Sequence, residues 1–80
     1  MAADSPTRLQ KHSVSIAGHR TSVTLEAAFW DALTAIAQQR QTTVAGLIAA
    51  IDDGRAKDPA SPNLSSAIRV FVLRVLSGGT

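Results

Sequence analysis

Eighty residues with eight Lys or Arg, six Asp or Glu and no cysteine describe one small domain of net charge +2, and exclude both a disulfide framework and a thiolate zinc site. A chain of this size buries only about 60% of its unfolded surface and is marginal alone, so association with a second copy is the expected source of extra stability. The segment Met1–Pro6 has no apolar core of the signal-peptide kind and the longest apolar run, Val70–Leu73, is far too short to span a bilayer, so a soluble cytoplasmic protein with no membrane partner is expected.

Residues 1–10 are small and polar, interrupted by Pro6, and read as a disordered arm. A single domain is expected over 11–76. Its first strand, about 12–17, alternates with Val14 and Ile16 on even numbers, whereas the second, about 20–25, carries Thr21, Val23 and Leu25 on odd numbers. One flat strand cannot keep both sets on one face, so the phase flips between Ala17 and Arg20. Gly18-His19 supplies a two-residue type II′ turn that pairs Ile16 with Thr21, Val14 with Val23 and His12 with Leu25. Lys11, Ser13, Ser15, Ala17, Arg20, Ser22, Thr24 and Glu26 then share the other face. A bulge at Gly18 with a loose N-terminal arm is the competing arrangement. The strand 20–25 runs straight into a helix and cannot bury its apolar face unaided; in so short a chain a second copy is the natural source of a partner strand.

The first helix is expected over 26–40, with Phe29, Leu33, Ile36 and Ala37 in one stripe that Trp30 widens. Glu26 suits the positive end of its dipole and Arg40 the negative end. A second helix follows over 43–53, capped by Thr42 or Thr43, with Val44, Leu47, Ile48 and Ile51 as its buried stripe, ending at Asp52-Asp53-Gly54. Residues 54–62 form a linker by composition. Asn63 or Ser65 caps a third helix over 64–76, apolar around most of its girth with Arg69 and Arg74 as its polar side; 77–80 is a frayed tail. So apolar a helix must be buried on its own chain or across a dimer, and it is also suited to another protein partner.

The charge is unevenly placed. Residues 1–25 carry a net +2, 26–63 a net −2 and 64–80 a net +2, so the positive charge lies on the strands and the last helix. An outward face of Arg20, Ser22 and Thr24 has groups able to meet base edges or phosphates. His12 and His19 lack a carboxylate or thiol at ligand spacing, so no metal is expected. No nucleophile–base–orienter set and no glycine-rich phosphate loop after a strand is present, so neither catalysis nor a cofactor is expected. Phe29 and Trp30 fall on or beside the apolar stripe and read as core.

Strand, helix, short polar turn and helix over residues 20–53 resemble the ribbon-helix-helix DNA-binding proteins, the group of Arc- and MetJ-type repressors. The longer run of Ser13–Glu26, Phe29-Trp30 and Asn63–Leu73 resembles a bacterial subgroup of that superfamily. The resemblance implies an α+β, mainly helical fold, a homodimer with an N-terminal hairpin or ribbon and an extra C-terminal helix. It also implies binding of double-stranded DNA as a small repressor. Arg20, Ser22 and Thr24 would contact bases or the groove, with Lys11, Thr42 and Thr43 on phosphates. Val23, Leu25, Phe29, Leu33, Leu47, Ile48, Ile51 and Phe71 would form the dimer core. The alternative is a dimer of the same fold that binds no DNA and acts as an interaction or antitoxin-like module through its last helix. If each copy already contributes a hairpin, an edge-to-edge dimer presents four strands, about 14 Å across before side chains, against a major groove about 12 Å wide.

Overall fold

The computed structural model describes residues 5–56 and 63–78. Five elements follow in order: β1 (Leu9–Ile16), β2 (His19–Glu26), α1 (Ala27–Gln39), α2 (Val44–Ala56) and α3 (Leu64–Leu76). This is the α+β, mainly helical class expected. Of the expected irregular segments, residues 1–4 of the arm, 57–62 of the linker and 79–80 of the tail lie outside the described residues.

β1 and β2 pair antiparallel within the chain, with Ile16 opposite His19, Val14 opposite Thr21, His12 opposite Val23 and Gln10 opposite Leu25. The turn is therefore Ala17-Gly18, one residue earlier than expected, and both residues have positive φ, 50° and 83°. Two positive φ values define a type I′ turn, whose twist matches that of the flanking strands, and Gly18 serves as its second central residue rather than its first. The register differs from the expected one by two positions. Because side chains alternate with period two, a shift of two leaves every residue on its expected face.

β1 also starts earlier than 12. Leu9 and Gln10 belong to the strand, and the chain before them closes onto the start of α1: the Ala27 N–H donates to the Arg8 carbonyl (2.8 Å) and the Ala28 N–H to the Pro6 carbonyl (3.0 Å). Backbone carbonyls thus satisfy amides that the start of a helix leaves without partners. Glu26, the N-cap residue, makes no side-chain cap bond. Its carboxylate turns instead to Arg69 of α3, accepting from Nε at 2.8 Å and from a terminal nitrogen at 3.2 Å.

Val14, Ile16, Val23 and Leu25 form the buried face of the hairpin, and they pack with Leu33, Ile36 and Ala37 of α1, Leu47 and Ile48 of α2, and Ile68 and Val72 of α3. Leu25, Leu33, Ile48 and Ile68 are 0% exposed in a single chain. Burial of each such side chain is worth about 1.5–3 kcal/mol. Within the chain, the partner strand of β2 is β1, the hairpin partner expected from the alternation. Of the residues assigned to a dimer core, Val23, Leu25, Leu33, Leu47 and Ile48 are buried within the single chain, and Phe29, Ile51 and Phe71 pack half-buried around them.

α2 runs through Gly54 to Ala56, beyond its expected end, with Arg55 reaching back one turn to Asp52 at 2.7 Å. α3 is capped by Asn63, whose Oδ1 accepts from the Ser66 N–H at 2.8 Å. Its inner face closes the core, and Arg40 at the end of α1 lies over the Phe71 ring, 5.1 Å from the centroid. Its outer face leaves Val70, Leu73 and Leu76 exposed at 50, 63 and 68%. Among the described residues no helix is long and apolar enough to cross a membrane, and no group of three or more His, Asp or Glu is placed to hold a metal ion.

Candidate nucleic-acid interface

With its apolar face on the helices, the hairpin turns its other face to solvent. That face is built of cross-strand rows: Ser15 opposite Arg20, Ser13 opposite Ser22, and Lys11 opposite Thr24. All six side chains are exposed. The two-residue turn makes Ile16–His19 a hydrogen-bonded pair, so the outward rows are the alternate, non-hydrogen-bonded kind, with Cα atoms about 4.5 Å apart and side chains close together. The Ala27–Arg8 bond continues the same alternation to the foot of the ribbon. Among the described residues neither Lys11 nor Arg20 has an acidic or hydrogen-bonding partner. Leu9 and Glu26 make the last row, where the Glu26 charge is met by Arg69. The hydrogen bonds from Arg69 hold the Glu26 carboxyl below its ordinary value of about 4.5, helped by a bond from the Glu26 backbone.

The face is anchored from behind by more than aliphatic packing. His12, on the inner side, stacks flat on Trp30 of α1, with ring centroids 3.6 Å apart and planes 4° from parallel, while its Nε2 lies 3.2 Å from Gln10 Oε1. A rigid aromatic pair therefore ties β1 to α1.

Thr42 and Thr43 stand on a separate element, the turn between α1 and α2. α1 ends in a Schellman arrangement: Gln41 adopts φ 57°, the Thr42 N–H donates to the Ala37 carbonyl at 2.9 Å and the Gln41 N–H to the Gln38 carbonyl at 3.1 Å. The sequence left the cap of α2 open between two threonines. It is Thr43, whose Oγ1 accepts from the Gly46 N–H at 2.9 Å. Both hydroxyls crowd Gly46: a Cβ there would lie 2.9 Å from Thr42 Oγ1 and 3.1 Å from Thr43 Oγ1. Both threonines are exposed, and the first amides of α2 precede any intrahelical acceptor.

The structure thus places Lys11, Arg20, Ser22 and Thr24 together on the ribbon, and Thr42 and Thr43 together at the start of α2. Ser13 and Ser15 share the ribbon face equally with β2, although base contacts were expected from β2 alone. The signal was available in the alternation Lys11-Ser13-Ser15.

A solved structure of similar fold is that of an uncharacterized protein from Bordetella pertussis Tohama I, which matches with a TM-score of 0.76 and 34% sequence identity over 90% of this chain. The match covers 58% of that protein's chain, so this chain spans less than two thirds of its length. No curated protein matches the sequence. A model of the ribbon-helix-helix domain matches residues 9–76, from the first residue of β1 to the last of α3, and the chain belongs to that family.

Proposed function

We propose that the protein is a sequence-specific DNA-binding protein, acting as a homodimeric small repressor without catalytic activity, that reads double-stranded DNA with the outer face of its hairpin. Members of the family generally bind DNA as dimers. The observation that carries the reading is the ribbon itself: two strands, a sealed apolar back, and a front of two cations and four hydroxyls. A major groove about 12 Å wide admits a two-stranded ribbon. Arg20 is suited to guanine or phosphate, Ser22 and Thr24 to base edges, and Lys11, Thr42 and Thr43 to phosphates.

The test is fluorescence anisotropy of labelled DNA from the gene's own upstream region, titrated at several salt concentrations with competitor. Saturable, sequence-preferring binding is expected, with log affinity falling linearly in log salt. Arg20→Ala should abolish the sequence preference, and Lys11→Ala should lower the salt slope by about 0.9 for its one phosphate. No binding, or binding that Arg20→Ala leaves unchanged, would overturn the reading.

A second reading is favoured by the exposed Val70, Leu73 and Leu76 of α3, an apolar stripe suited to another protein or to a second copy. In a pure interaction module Leu73→Lys would disrupt the complex while Arg20→Ala would be silent.

A further inference from the structure

We propose that the cleft at the turn end of the hairpin is a binding site for a free α-amino acid with a small aliphatic side chain. The site is separate from the outward ribbon face, and the inference does not depend on the DNA-binding reading. The end of β1, the start of β2, the C-terminal part of α2 and the first residue of α3 converge there around a cavity of about 240 Å³. That is below the roughly 300–1,000 Å³ of cavities that hold drug-sized ligands. Its occupant is therefore small, and a nucleotide exceeds it.

The lining has an apolar and a polar part. Ile16 is buried and Leu64 half-buried, and with Ala17 they supply the apolar contacts. The polar part consists of His19, Thr21, Asp52 and Arg55. Arg55 donates to Asp52 through Nε at 3.0 Å and through a terminal nitrogen at 2.7 Å, and both bonds end on the same oxygen, Oδ1. Among the described residues, Asp52 Oδ2 and the other terminal nitrogen of Arg55 bind nothing. An acceptor and a donor of opposite charge thus stand side by side with positions to spare.

These charges select the ligand. One carboxylate and one guanidinium offset each other, which disfavours a bare anion such as phosphate as much as a bare cation. Because the two groups touch, a ligand that meets both must carry its own opposite charges close together, as an α-amino acid does. Its ammonium would donate to Asp52 Oδ2 and its carboxylate would accept from Arg55, with the Thr21 hydroxyl and the His19 ring as further donors. The side chain would then lie against Ile16 and Leu64, which suits valine or leucine and leaves a charged side chain without a partner. Such a ligand would join the hairpin turn to both helices.

The experiment is titration of the full ¹⁵N-labelled chain with L-leucine, followed by amide chemical shifts. Two analogues run beside it: isocaproate, which lacks the ammonium, and isoamylamine, which lacks the carboxylate. Saturable shifts at His19, Thr21, Arg55 and Leu64 are expected with leucine. Each analogue should bind about ten- to hundredfold more weakly, the worth of hydrogen bonds to a charged group. Asp52→Asn and Arg55→Gln should weaken leucine binding by a similar factor, once far-UV circular dichroism has established that they fold. If either variant fails to fold, the analogue comparison on the wild type decides alone. No saturable shift up to about 10 mM leucine, equal affinity for the analogues, or tighter binding of L-glutamate or L-lysine would overturn the proposal.

Discussion

Alanine at the two glycines of α2 is expected to stabilise at Gly54 and to do so less, or to destabilise, at Gly46. Gly54 is exposed and nothing lies within 4 Å of where its Cβ would stand. There the substitution gains only the restricted backbone freedom of alanine in a helix, about 0.5–1 kcal/mol. In a domain of this size 1 kcal/mol moves Tm by about 4–8 °C, so Gly54→Ala should raise it by roughly 2–8 °C. Gly46→Ala has the same intrinsic gain, but its methyl group would meet Thr42 Oγ1 at 2.9 Å and Thr43 Oγ1 at 3.1 Å. Relief requires the hydroxyls to rotate away, and the Thr43 bond to the Gly46 N–H is lost. An N-cap of this kind is worth about 1 kcal/mol, with a range of about 0.5–2. The net effect at Gly46 therefore runs from a gain of about 0.5 kcal/mol to a loss of about 1.5 kcal/mol, and the two variants should differ in Tm by several degrees. Thermal unfolding followed by far-UV circular dichroism reads the difference. In a Thr43→Ala background, where no cap remains to lose, Gly46→Ala should recover part of the intrinsic gain. Equal stabilisation by the two alanines in the wild-type background would refute the role given to the Thr43 cap.

Ala17→Asn should stabilise by about 0.5–1 kcal/mol, because Ala17 holds φ 50° and Asn-Gly is a preferred type I′ pair; a loss in urea midpoint would contradict the turn geometry. Leu33→Ala, at a side chain 0% exposed, should cost about 2–5 kcal/mol in urea unfolding followed by Trp30 fluorescence, and a cost below about 1 kcal/mol would deny Leu33 its central place. The depressed Glu26 carboxyl contributes stability that is fully present above its ordinary value of about 4.5 and is lost as pH falls through its lower folded value. The gap in urea midpoint between wild type and Arg69→Gln should therefore be constant above pH 5 or so and close on acidification; a gap that persists at the lowest pH would mean that Arg69 acts by packing alone.

The alternation of Val14 and Ile16 against Val23 and Leu25 was enough to identify two strands, a reversal between them and the face each residue occupies. It could not place the turn, because period two specifies a register only up to multiples of two, and two adjacent turns keep every side chain on its side. The outward position of Arg20, Ser22 and Thr24 was legible for the same reason. Other features depend on groups far apart in sequence. Glu26 meets Arg69 forty-three positions later, and no local pattern marks that pair. His12 was legible as inward-facing, but not its stack on Trp30, which follows from the angle at which α1 leaves β2. The closure of Arg8 and Pro6 over the first amides of α1 is made by backbone atoms, which leave no trace in side-chain type. On α3 the breadth of the apolar surface was plain, yet the division between Ile68 and Val72 inside and Leu73 and Leu76 outside is decided by the direction from which the hairpin approaches.

A core sealed inside one chain has a thermodynamic signature that an interlocked pair of chains lacks. Where two chains share a core, dilution separates them and unfolds them together, so the midpoint of melting falls with concentration by mass action. Here Leu25, Leu33, Ile48 and Ile68 are fully covered within one chain, and unimolecular folding is the expected outcome. The melting temperature should stay essentially fixed through a dilution of about a hundredfold, even where any pairing of copies does not survive. Each molecule would then keep its hairpin formed at dilutions where any pairing of copies is lost.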